Sequence, residues 1–158
     1  MHCLVTGAKG FLGAQVVSAL RAKGAVVTAV GRRPATDILG YDLSVASDVM
    51  RMIKDIAPDC IVHCAAHVPK TLKEYHDRSS STANLDMLDM LLLASDCPFV
   101  FISSMTVYGT ERKRPVVEQD AGDPTSAYGR GKWQAEQRLI ADGRPALAVH
   151  GHSPWRFT

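Results

Sequence analysis

Apolar residues along this chain fall into short unbroken runs, separated by stretches in which they recur every three or four positions. The runs predict buried strands, and the spaced stretches predict helices laid against them. Strand runs occupy His2–Thr6, Val26–Val30, Cys60–Cys64, Phe99–Ser103 and Ala146–His150, with a weaker one at Asp37–Tyr41. A first helix over Gly10–Lys23 carries Phe11, Leu12, Val16, Val17 and Leu20 at helical spacing, and Gly24 closes it. Ser44 or Ser47 caps a second helix running to about Ala57, ahead of Pro58. Thr82–Ala94 and Thr125–Ala141 are a third and a fourth. Strand and helix alternating in this way predict an α/β fold, a doubly wound parallel sheet with crossover helices. Right-handed crossovers wound both ways from the first strand give the order 3-2-1-4-5-6, so a ligand belongs above the carboxyl ends of strands one and four.

Length and composition narrow the class further. At 158 residues the chain makes one domain, 1–158, able to bury about 70% of its unfolded surface. Eighteen basic residues against sixteen acidic ones, with no long run of either sign, point away from nucleic acid and membrane surfaces as partners. Cys3, Cys60, Cys64 and Cys97 sit mostly in or beside apolar runs, which suggests reduced thiols in a cytoplasmic protein. Cys60, His63, Cys64 and His67 alternate faces along a strand and do not converge, so no metal site is expected. The chain enters a strand within three residues, and neither a signal peptide nor a membrane anchor is expected.

Candidate chemistry begins after strand one, where Gly7, Gly10 and Gly13 stand three apart at a strand-to-helix junction. Gly7 permits a tight turn, Gly10 lets backbone N–H groups approach a pyrophosphate at the helix start, and Gly13 lets the helix pack closely. A dinucleotide cofactor is the reading these features support in this context.

The Gly-x-x-Gly-x-x-Gly spacing resembles the extended short-chain dehydrogenase/reductase family, of the NAD-dependent epimerase/dehydratase type. The likeness runs from Cys3 to about Val149 and implies a Rossmann fold whose loop residues Gly7, Gly10, Phe11, Leu12 and Gly13 hold the cofactor. It also implies that Ala65 and Ala66 pass close to the cofactor, that Asp42 and Leu43 approach its adenine, that Ser103 adjoins it, and that Asn84 opens the fourth helix of the family on the substrate side. Strand two ends in Gly31 with Arg32 and Arg33 following, and no carboxylate is read as available for a ribose diol. An arginine fork suits a 2′-phosphate, which leans the expectation to NADP, with NAD as the alternative.

Beyond strand five come Ser103, Ser104, Met105 and Thr106, and further on Tyr128 and Lys132, one helical turn apart. Hydride transfer at an oxygen-bearing carbon needs a partner that gives or takes the proton. Free tyrosine, with a pKa of about 10, is a poor base, and lowering it by roughly three units takes about 4 kcal/mol of preference for the phenolate. The resemblance makes Tyr128 that acid/base, has Lys132 lower its pKa and hold the cofactor ribose, and gives Ser104 the substrate oxygen, with Thr106 sharing the contact. Gly129 and Gly131 each weaken the helix by about 1 kcal/mol, which suggests close approach of its backbone to something. Met105-Thr106 replaces the Asp-Glu pair of the 4,6-dehydratases, so dehydration is disfavoured.

Pro115–Glu118 and Pro124–Tyr128 look like the corresponding stretch of sugar-nucleotide epimerases. The implied partner is therefore a small molecule, a nucleotide sugar, and the implied assembly a homodimer through helices 82–94 and 125–141. Leu85, Met87, Leu88, Leu91 and Leu92 occupy more of the circumference of helix 82–94 than one sheet face is expected to cover. After strand six the Arg-Pro start common in relatives is missing and the chain stops at Thr158. The substrate domain is expected to be largely absent. An NAD(P)-dependent epimerase or reductase leads, and a cofactor-binding sensor or a truncated interaction module is the alternative.

Overall fold

The structure, a computed structural model, describes residues 1–109 and 115–150. The elements run β1 (His2–Thr6), α1 (Phe11–Ala22), β2 (Val26–Gly31), β3 (Leu39–Gly40), α2 (Ala46–Ile56), β4 (Cys60–His63), α3 (Leu72–His76), α4 (Arg78–Ala94), β5 (Phe99–Ile102), α5 (Ala127–Asp142) and β6 (Ala146–Val149). Single 3₁₀ turns occupy Met105–Tyr108 and Glu118–Asp120. All six strands form one parallel sheet in the order β3-β2-β1-β4-β5-β6, as the alternation predicts. Residues 151–158, on which the missing Arg-Pro start falls, lie outside the described residues.

Right-handed crossovers send α1 to one face of the sheet and α2, α4 and α5 to the other. The main core lies on the second face, where Leu4, Ile61, Phe99 and Phe101 from the strands meet Met52, Leu88, Leu91 and Leu139 from the helices. Leu4 of β1 is completely buried, because an interior parallel strand has neighbours on both edges and cover on both faces.

Several local expectations change. The weaker strand expected at Asp37–Tyr41 contracts to the two residues of β3, an edge strand on which Leu39 stays exposed. Neither serine caps α2: its N-cap is Val45, without a side-chain bond, because the N–H and hydroxyl of Ser44 both donate to the Asp42 carboxylate. Helix α4 begins at Arg78, capped by Asp77, whose carboxylate accepts from the Ser79 N–H. Asn84 therefore lies inside the helix and does not open it. Ahead of it stands the unanticipated α3, capped by Thr71.

The dimer expectation loses its stated reason. Leu85, Met87, Leu88 and Leu91 are buried within the chain, and Leu92 packs against the same cluster, because α4 contacts both α2 and α5. Leu93 and Ile140 are what these helices leave exposed.

Leu88 has no exposed surface and sits where α4 meets the sheet. Leu88→Ala is expected to destabilise the fold by about 2–5 kcal/mol, measured by urea unfolding. A loss below about 1 kcal/mol, ordinary for a surface site, would contradict this packing.

Candidate active site

Strands β1 and β4 lie side by side, and the loops leaving their carboxyl ends touch. Gly7 adopts φ +68°, and a β-carbon there would stand 2.6 Å from the Ala65 nitrogen, so only glycine fits. Gly13 is equally enclosed, but by the loop and not by the sheet: its β-carbon would lie 2.3 Å from the Gly7 carbonyl oxygen. Helix α1 starts at Gly10 with no side-chain cap and no acidic residue in its first turn. Its first N–H groups are thus left for something other than a capping side chain. Phe11 and Leu12 at this helix start are exposed.

Beneath that helix end lies a cleft of about 370 Å³, walled by Gly7, Gly10, Arg32, Asp42, Ala65 and His67 among others. Leu43, Ala66 and Lys9 line it as well. A tight glycine turn beside an uncapped helix start, both bordering the cleft, fits a pyrophosphate and its adenosine. Lys9 is an addition that sequence reading missed; a β-carbon on Gly31 would lie 3.3 Å from its methylenes, so its stem crosses the end of β2.

Two expectations about the far end of the cleft need correction. Arg32 lines it but Arg33, exposed, does not. A carboxylate is also present after all: Asp42 lies 3.8 Å from the Arg32 guanidinium. Its hydrogen bonds from Ser44, aided by Arg32, hold that carboxyl below its usual pKa. The Arg32 guanidinium also lies 3.4 Å from the His67 ring. Asn84, assigned to substrate, spends its amide on His67: its oxygen accepts from the His67 N–H at 2.7 Å and its nitrogen donates to the His67 carbonyl at 3.1 Å.

The second group of residues gathers where β5 ends. Ser104 caps the 3₁₀ turn, its hydroxyl accepting from the N–H and the hydroxyl of Thr106. Helix α5 lies against that turn and against α4 because Gly129 and Gly131 have no side chains. A β-carbon on Gly129 would meet the Thr106 carbonyl at 2.6 Å, and one on Gly131 would meet Ser81 at 2.7 Å. The close approach those glycines suggested is thus to the protein's own turn and to α4. Ser126 caps α5 by accepting from the Gly129 N–H.

Tyr128 and Lys132 are both buried on this face. The Lys132 ammonium donates to the Ile102 carbonyl at 2.8 Å and lies 4.5 Å from the centre of the Phe101 ring. Its hydrogen bond does not go to the phenol. Burial pushes the Tyr128 phenol up to about 12, with Tyr75 of α3 edge-on against it, and so opposite to the expected depression. Burial also brings Lys132 down to about 8, opposed by the charge of Glu136.

Glu136 is a second residue missed in the sequence. It is buried, accepts a hydrogen bond from the Ser103 hydroxyl, and lies 3.0 Å from His150, whose other ring nitrogen is 2.5 Å from the Tyr108 hydroxyl. Ser103 is thus tied to Glu136 inside the protein. The available signal was a glutamate one turn beyond Lys132, on the face that buries Ala135 and Leu139.

A parallel sheet wound both ways from β1, with a glycine loop at the point where the winding reverses, defines the Rossmann class. Within it, residues 1–150 match the RmlD substrate binding domain family, and the chain belongs to that family, among the extended short-chain dehydrogenases/reductases. UDP-glucose 4-epimerase of Azospirillum brasilense is 30% identical over 161 residues, covering 94% of this chain and 45% of the relative. dTDP-4-dehydrorhamnose reductase of Sinorhizobium fredii is 31% identical over 144 residues, covering 86% and 45%. The solved UDP-glucose 4-epimerase of Thermus thermophilus, a complex with NAD, matches with a TM-score of 0.84 at 22% identity, over 95% of this chain and 54% of that one. The chain spans about half the length of the curated relatives it matches.

His63, wholly buried, is held neutral: burial and the nearby Lys132 bring its pKa down to about 3. Its Nδ1 lies 2.8 Å from the Thr6 hydroxyl. The unfolded chain takes up this proton below about 6.5 and the folded chain does not. The stabilisation is therefore complete above pH ~6.5 and is lost as pH falls towards 3, by at most about 1.4 kcal/mol per pH unit. Urea unfolding of wild type and His63→Gln between pH 7 and 4 should give stabilities that converge as pH falls. Parallel curves would mean that His63 is protonated in the fold.

Proposed function

We propose that this chain is the cofactor-binding and acid/base half of an NAD(P)-dependent epimerase or reductase acting at a hydroxyl or keto carbon of a nucleotide sugar. The observation that carries the reading is the meeting of the two groups of residues. Lys132 bonds the last carbonyl of β5, one residue from Ser103, and its charge reaches Cys64 in the cleft wall. The relatives' names supply the nucleotide-sugar class and the choice between epimerase and reductase.

A nicotinamide cofactor, when bound, supplies hydride exchange at the substrate carbon. Gly7, Gly10 and the uncapped start of α1 hold its pyrophosphate. Asp42 and Leu43 flank the adenosine, with Arg32 and Lys9 offering cations to a 2′-phosphate. That pair favours NADP, although the Asp42 carboxylate opposes it. Ser104 and Thr106 hydrogen-bond the substrate oxygen. Tyr128, neutral at pH 7 with its phenol near 12, is in the form that delivers a proton to a carbonyl being reduced. It becomes a base only when a positive nicotinamide ring and Lys132 together favour the phenolate. Met105 and Thr106, where dehydratases carry Asp-Glu, leave no group for eliminating water. The reading includes a cytoplasmic setting and a homodimer through α4 and α5, with Leu93 and Ile140 as its exposed contacts.

Calorimetric titration with NADPH and NADH tests the cofactor. Binding of at least one is expected, tighter for NADPH, and Gly10→Val should abolish both because its side chain enters the pyrophosphate's place. With the full-length protein, Tyr128→Phe should lower turnover by about 10²–10⁴-fold at unchanged cofactor affinity. Retention of activity within about twofold, well short of that range, would replace the enzyme with a nucleotide-binding sensor or interaction module.

A further inference from the structure

Lys132 and Glu136 stand one turn apart on α5, and both are buried. A buried ammonium is costly unless an opposite charge and hydrogen bonds compensate. The Ile102 carbonyl supplies one hydrogen bond, and the faces of Phe101 and Tyr128 lie 4.5 and 5.9 Å from the ammonium. None of these carries a charge. Among the described residues, the other titratable groups coupled to Lys132 are His63 and Cys64 at the end of β4. His63 is neutral above pH 3 and Cys64, pushed up to about 11, is a thiol at neutral pH.

That leaves the Glu136 carboxylate, and the fold fixes it from three elements. It sits on α5, it accepts from Ser103 just past β5, and it meets His150 just past β6. Tyr108, whose phenol Glu136 helps to push up, closes the chain through the second nitrogen of His150. We propose that Glu136 is a positioning residue that acts through Lys132: anchored by Ser103 and His150, it supplies the counter-charge that keeps the ammonium protonated and so able to donate to the cofactor ribose. The inference rests on the proposed cofactor reading.

The sign of its effect follows directly. The ammonium is the donor, so cofactor affinity is full below the Lys132 pKa and declines as pH rises through it. Removing the neighbouring negative charge lowers that pKa and moves the decline to lower pH. NADPH affinity of the chain is followed by its fluorescence from pH 6 to 10, a window that His63, Cys64 and Tyr128 do not enter. In wild type the decline should be centred near pH 8. In Glu136→Gln it should be centred about one pH unit lower or more, Glu136→Asp should restore much of the difference, and Lys132→Met should abolish the step.

A thermal melt of each variant confirms folding. A merely structural Glu136 would weaken binding equally at every pH, and an unmoved midpoint in Glu136→Gln overturns the proposal. So does a step that persists in Lys132→Met. Failure of wild type to bind NADPH or NADH at any pH would instead remove the cofactor reading itself, and the inference with it.

Discussion

The main chain at Gly7 passes so near the main chain at Ala65 that no β-carbon fits between them. Two parallel strands joined edge to edge, β1 and β4, end there, and their chains depart to opposite faces of the sheet. One leads into α1; the other leads through His67 towards α3 and α4. The crevice between these departures is where an open α/β sheet leaves room for a ligand. Position 7 therefore ties local backbone geometry to topology: a residue with a side chain would push the loops apart and lift the start of α1 away from the cleft. Asn84 reinforces the same seam from α4 by holding the His67 backbone on both sides.

Across the sheet, the end of β5 presents a different physical problem. A lysine and a glutamate are buried together beside a tyrosine, and desolvation works against every charge there. The fold answers with short connections to main-chain and hydroxyl groups: Ile102 for the ammonium, Ser103 for the carboxylate. These connections join α5 to the strand end that carries Ser104. Gly129 and Gly131 make the join possible by removing the side chains that would hold the helix off the turn and off α4. Chemistry and packing thus make the same demands on one helix.

Sequence reasoning reached the sheet order because interior parallel strands must be continuously apolar, and the runs at residues 2–6, 60–64 and 99–103 could be little else. It misjudged features set by contacts between distant residues. Ser44 looked like a helix cap but is taken by Asp42, and Arg32 looked free for a phosphate although Asp42, ten positions on, lies beside it. Helix α3, five residues long, is too short to show a period. Glu136 went unnoticed because nothing local marks a glutamate as buried. The leucines of α4 looked surplus only because α2 and α5, which flank the helix and help to bury them, are distant in the sequence.

The central claim is that the crevice between the β1 and β4 loops is where a nicotinamide dinucleotide lies. Amide hydrogen–deuterium exchange with and without saturating NADPH tests it most directly, because the exchange map reports where the ligand sits and not only that it binds. Protection should concentrate on three separated stretches, Gly7–Gly13, Arg32 with Asp42–Leu43, and Cys64–His67, while α2 and the far end of α4 stay unchanged. Protection confined to other surfaces, or spread evenly over the chain, would contradict the account.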